Sequence, residues 1–121
     1  MYLVSINPHS QLLLLSFIGK VRAEEIAAGR ENLIPLLASL KPGFRLLSDL
    51  TQLESFDPDC AVEIGKNMGI FSEYGLGMVV RVIPDSRKDF GLNILSIFHY
   101  AHHPQTVTCK TMIEAAKVLS L

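Results

Sequence analysis

Three carboxylates, Asp49, Asp57 and Asp59, fall close together in one stretch of the chain. Such a cluster can share a proton in general acid–base work or hold a hard cation such as Mg²⁺. The same residues also suit a plainer role, with Asp49 at a strand end and the other two at a helix start. Cys60 follows directly. A thiol at a helix N-terminus can be activated as a nucleophile. Here Asp57, Asp59 and Glu63 oppose a thiolate, and free cysteine is among the residues most often buried. His99, His102 and His103 form a histidine cluster, and the His99-x-x-His102 spacing can place two imidazoles on one helical face. A zinc site needs further ligands, and only Cys109 or distant acids are at hand. A polar, pH-sensitive helix end is the other reading. Arg81, Arg87 and Lys88 can meet an anion at a helix start. Asp85 and Asp89 are interleaved with them, as on a solvated surface of mixed charge.

No stronger signature accompanies these clusters. The sequence has no G-x-S-x-G, no P-loop, no H-E-x-x-H and no G-x-G-x-x-G after a strand. Gly75-Leu76-Gly77 precedes a strand and does not cradle a phosphate. The sequence therefore assigns no catalytic residue, no metal ligand and no cofactor, and points away from an enzyme.

The elements that position these residues follow from hydrophobic periodicity. Alternation over residues 2–6 predicts a strand, and Asn7-Pro8-His9-Ser10 predicts a turn. The apolar run over residues 11–18 predicts a second strand, antiparallel to the first and buried on both faces. Gly19-Lys20 breaks it. Residues 22–40 read as a helix with two Glu in its first turns, where the dipole favours negative charge, and a kink or break is expected near Pro35. Residues 44–50 are a third strand. Asp57 as N-cap and Pro58 at the first helical position predict the next helix, with Cys60, Ala61, Ile64, Met68 and Phe71 on one face. Residues 78–83 are a fourth strand and residues 86–101 a third helix. Phe90, Ile94, Ile97, Phe98 and Ala101 form its core stripe, and Leu92, Leu95 and His99 a second stripe rotated from it. Residues 106–109 make a fifth strand. Thr111-x-x-Glu114 is a capping box that opens a fourth helix. The order β-β-α-β-α-β-α-β-α predicts an α/β fold, a mixed sheet of five strands with four helices.

A length of 121 residues suits one domain, and no repeat or linker divides it. With 11 basic and 12 acidic residues, the chain lacks the positive excess of a nucleic-acid binder. Half of it is apolar, with 49% hydrophobic residues and a mean hydropathy of +0.31, so it is not disordered. No stretch approaches the roughly 20 apolar residues of a spanning helix. Two cysteines make no disulfide scaffold, and the start Met1-Tyr2-Leu3-Val4-Ser5 shows no signal peptide. The expectation is a cytoplasmic protein with reduced thiols.

The stretch Leu46-Leu47-Ser48-Asp49-Leu50-Thr51-Gln52-Leu53-Glu54-Ser55-Phe56-Asp57-Pro58-Asp59-Cys60-Ala61 resembles the core of STAS domains, the family of anti-sigma-factor antagonists and of sulfate-transporter tails. In that family a buried strand ends in Asp-Leu-Ser, and an Asp-Ser-Ser-Gly turn opens a helix. Asp49-Leu50-Thr51 is similar to the strand end, and Asp57 falls on the Asp of the turn. The order of elements agrees along nearly the whole chain. The tail from Thr106 to Leu119 is similar to the family's closing strand and Glu-Ala-rich helix. The resemblance implies a SpoIIAA-like fold and a regulatory or protein-interaction role. In the antagonists a Ser of the turn accepts a phosphate. Pro58 and Asp59 stand at the two Ser positions and Cys60 at the Gly position, so the phosphoserine switch is not implied. Asp59 is either a fixed negative charge in that place or a helix-start Asp favoured by the dipole.

The sequence thus leads to a small non-catalytic interaction domain that binds a protein partner or a second copy of itself. Its expected contact residues are Asp57, Pro58, Asp59 and Cys60, together with Leu92, Leu95 and His99 on the exposed stripe. The alternative is a carrier or sensor of an apolar small molecule, since the apolar fraction is high and some relatives of that fold bind lipid-like ligands.

Overall fold

The computed structural model describes residues 1–85, 100 and 104–121. Strand β1 (Tyr2–Asn7) and strand β2 (Leu12–Phe17) form an antiparallel hairpin, with Tyr2 opposite Phe17 and Asn7 opposite Leu12. Helix α1 (Ala23–Ala38) leads to β4 (Arg45–Asp49), helix α2 (Cys60–Glu73) to β6 (Met78–Val82), and β7 (Gln105–Cys109) to helix α3 (Met112–Leu119). Two short strands, β3 (Gly19–Val21) and β5 (Leu53–Phe56), pair with each other in parallel. The main sheet has the order β1-β2-β4-β6-β7 and is parallel from β2 onward. The expected mixed five-stranded sheet is therefore present, and three helices lie among the described residues. The expected helix over 86–101, with its Leu92, Leu95 and His99 stripe, lies outside them.

Both faces of the sheet are covered. Leu13, Leu15, Leu46 and Val79 face one core with Ile26, Leu33 and Leu37 of α1 and Ile64, Met68 and Phe71 of α2. Leu12, Leu47, Val80 and Val82 face a second core with Ala115 and Leu119 of α3. The alternation along β2 and β6 sends neighbouring residues to opposite cores, which is why these strands read as unbroken apolar runs. Each fully buried Leu or Val contributes roughly 1.5–3 kcal/mol.

Local chemistry sets the helix ends. The Arg22 amide donates to Glu25 Oε2 at 2.9 Å at the start of α1. At α3 the Glu114 amide donates to Thr111 Oγ1 at 3.2 Å, and Lys110 N–H donates to Glu114 Oε2 at 3.2 Å, so the expected cap is present. Helix α1 runs through Pro35 without the expected break. Pro35 and Glu31, the residue whose carbonyl loses its donor, are both exposed, so water can satisfy that carbonyl. At the opposite end of the sheet from the 57–59 loop, Gly75 adopts φ +91°, and a Cβ there would lie 2.9 Å from Pro42 Cα. Its carbonyl accepts from Gly43 N–H at 2.6 Å. Gly75-Leu76-Gly77 is thus a tight backbone crossing.

Candidate functional site

The loop at residues 57–59 is held by the small second sheet. Strand β3 ends at Val21, opposite Phe56 of β5. The Val21 carbonyl accepts the Asp57 amide at 3.0 Å and the Cys60 thiol at 3.4 Å. The Cys60 amide donates to the Asp57 carbonyl at 3.0 Å, which closes a turn. Helix α2 therefore starts at Cys60, with Asp59 at the cap position and no side-chain cap bond, rather than with Asp57 as N-cap. The Asp57 carbonyl instead accepts from an amide three residues on, so the chain makes a turn over residues 57–60 before α2 begins. Asp57, Pro58 and Asp59 are exposed.

Cys60 corrects an expectation. It is only 1% exposed and packs into the core, so it anchors the loop and offers a partner no surface. Burial raises its thiol pKa, and the nearby Asp57 charge adds to the rise, so the thiolate is disfavoured. Val62, on the first turn of α2, is 60% exposed and lies beside the loop in sequence. Its i,i+2 relation to Cys60 places it off the buried face, a signal that the core-stripe reading passed over. Asp49 does not join an acidic centre. Its Oδ1 accepts from Thr51 N–H at 2.9 Å and Thr51 Oγ1 at 2.7 Å, a local turn at the strand end. Among the described residues no group of three His, Cys, Asp or Glu side chains could hold a metal ion. His99, His102 and His103 lie outside the described residues.

A second feature was not legible in the sequence. Leu15, Ser48, Arg81 and Thr108 share one register line across β2, β4, β6 and β7. Arg81 is 2% exposed, so it does not belong to the solvated mixed-charge surface expected of it. Between this line and helices α1 and α2 lies a cavity of about 40 Å³. All three buried polar or charged side chains of the described residues, Ser48, Asn67 and Arg81, line it. Asn67 is fixed by its neighbours: Arg30 Nε donates to its Oδ1 at 3.0 Å, and its Nδ2 donates to the Tyr2 hydroxyl at 3.3 Å. Arg30 also meets Glu63 Oε2 at 2.7 Å, and this guanidinium holds the Glu63 carboxyl below the usual carboxylate range.

Sequence comparison finds no matching family model and no similar curated protein. Comparison of structures is decisive for the fold. An uncharacterized DUF3478-family protein with a SpoIIAA-like fold, from Shewanella loihica PV-4, is similar with a TM-score of 0.72 at 15% identity, covering 98% of this chain and 92% of that one. The chain has a SpoIIAA-like fold. The anti-sigma factor antagonist SpoIIAA in its unphosphorylated form is similar with a TM-score of 0.61 at 12% identity, over 99% of this chain and 98% of its own. The Bacillus cell fate determinant SpoIIAA in its phosphorylated form is similar with a TM-score of 0.57 at 9% identity, over 98% of this chain and 99% of its own.

The SpoIIAA-like fold is the one implied by the resemblance over residues 46–61. Within it, the second sheet and α2 position the Asp57-Pro58-Asp59 loop, and the main sheet with α1 and α2 encloses the cavity. Among the described residues no helix is long and apolar enough to cross a membrane.

Proposed function

We propose that this chain is a single, non-catalytic, STAS-like regulatory domain that works by binding protein. The observation that carries the reading is the exposed acidic loop at Asp57, Pro58 and Asp59, tied to β3 through the Val21 carbonyl and flanked by exposed Val62. A loop fixed in this way loses little conformational entropy on binding. The likeness to an anti-sigma factor antagonist along nearly the whole chain supports the class. Neither Pro58 nor Asp59 carries a hydroxyl, so the loop presents fixed charge where the phosphoserine proteins present a switch. The partner face is acidic with an apolar edge, which suits a surface of basic and apolar side chains. Leu92, Leu95 and His99 supply a second contact through which two copies associate, and the domain acts in the cytoplasm.

Two measurements test this. Affinity capture from the native host compares the wild type with an Asp57→Lys/Asp59→Lys variant. At least one protein held by the wild type should be lost with the variant, and an unchanged set of captured proteins would remove the loop from the reading. Light scattering over a range of concentrations should show a dimer that Leu95→Glu dissociates. A monomer mass at every concentration rules out self-association.

A further inference from the structure

One edge of the main sheet is open. Strand β1 pairs with β2 on one side, and no described strand pairs with it on the other. Met1 and Ile18 exchange both backbone bonds, at 2.6 and 2.8 Å, which sets the phase of the ladder. Leu3, Ser5 and Asn7 therefore turn their N–H and C=O groups toward β2. Tyr2, Val4 and Ile6 turn theirs outward, and no described backbone group bonds to them. Their side chains pack against the core that α1 covers. The Tyr2 ring lies 5.2 Å from that of Phe17, and its hydroxyl accepts from Asn67 Nδ2, so the strand is held in place before anything meets its edge. Edges of this kind are usually blunted by a charge, a proline or a bulge. Strand β1 has no charged side chain and no proline, and its register against β2 is unbroken.

We propose that β1 joins β1 of a second copy, antiparallel across a two-fold axis at Val4, so that the two main sheets become one. The register itself selects this occupant, because a two-fold contact needs a surface that complements itself. With Val4 opposite Val4 of the second copy, Tyr2 falls opposite Ile6 at both ends of the contact. Each of these is a pair that exchanges both of its N–H···O bonds, so every outward N–H and C=O of β1 finds a partner. Aromatic and β-branched side chains face each other in every pair, as favours strand association. On the opposite face Leu3 is 49% exposed. The two Leu3 side chains become diagonal neighbours about 7–8 Å apart, within reach of each other. An edge without charge does not repel its own copy. The pairing adds a separate surface to the self-association proposed above. It rests on neither the 57–59 loop nor Leu92, Leu95 and His99, and each can fail alone.

The test is amide hydrogen exchange of the full chain at about 1 mM, where a strand edge with a dissociation constant of about 0.1–1 mM is paired, and again after about twentyfold dilution. The amides of Tyr2, Val4 and Ile6 should exchange at least about twofold more slowly in the concentrated sample. Those of Leu3, Ser5 and Asn7, already bonded to β2, should not change. Leu95→Glu should leave this alternation in place, so a failure of that contact is read separately. Val4→Pro removes an outward N–H and breaks no bond to β2, a position where an edge strand accepts proline. Sedimentation should show its dissociation constant raised at least about tenfold, since both bonds between the two copies of Val4 are lost. If Val4→Pro does not fold, the alternation in the wild type decides. Exchange at Tyr2, Val4 and Ile6 that is independent of concentration would overturn the proposal. So would equal slowing at all six residues of β1, or unchanged self-association of Val4→Pro.

Discussion

Arg30 is half-buried on α1, in helical line with the buried Ile26, Leu33 and Leu37, and this makes its removal informative. Its guanidinium spans to α2, where Nε meets Asn67 Oδ1 at 3.0 Å and Nη2 meets Glu63. Arg30→Met keeps the aliphatic stem and removes the donors. Asn67, only 4% exposed, then holds an acceptor without a partner, which costs about 1–3 kcal/mol. Asn67→Leu alone removes that acceptor while Arg30 keeps Glu63. In the double variant a Met faces a Leu, and the orphaned polar atom is gone. The ion pair to Glu63 is lost whether or not Asn67 is present, so it cancels in the cycle. The double variant should therefore be more stable than the sum of the single losses, by about 1–2 kcal/mol. For a domain of this size that corresponds to about 4 °C in unfolding temperature per kcal/mol. Urea unfolding followed by circular dichroism at neutral pH gives all four stabilities. Additivity within about 0.5 kcal/mol would refute the view that Arg30 and Asn67 are coupled across α1 and α2.

Two glycines should respond in opposite directions to the same change. Gly75→Ala meets a positive φ and the Pro42 backbone and should cost about 1–3 kcal/mol, whereas Gly69→Ala, with nothing near its Cβ position in α2, should gain about 0.5–1 kcal/mol. Thermal melts of the two variants would count against the crossing if both moved the same way. Cys60 and Cys109 are buried, and burial raises both thiol pKa values, so a disulfide reagent at mildly alkaline pH should modify the native protein at least about a hundredfold more slowly than the unfolded chain. Comparable rates would show that the start of α2 opens readily.

The long elements were legible because their apolar residues repeat with the period of a strand or a helix, as in β2, β6 and the buried faces of α1 and α2. The strands β3 and β5 were not, because three and four residues carry too little pattern to separate from a loop. A turn closed by Cys60 N–H on the Asp57 carbonyl precedes α2, so the Asp57-Pro58 signal placed the helix start too early. Exposure decided Pro35, and exposure is a tertiary property. The cavity stayed hidden for a related reason. Ser48 and Arg81 are ordinary strand residues until the parallel register sets them side by side. An Arg flanked by Val80 and Val82 in a strand buried on both faces was the one available hint.

The register of the main sheet also bears on how the chain finds its structure. Only β1 and β2 join neighbouring stretches of sequence, with Asn7 meeting Leu12 across a short turn. Each parallel pairing must close a long loop first: Leu12 reaches Arg45, Arg45 reaches Met78, and Met78 reaches Gln105. The entropy of those closures is lost before the contacts between strands are gained. The hairpin, with its short turn, is the pairing whose closure costs least, and each parallel pairing waits on a much longer loop.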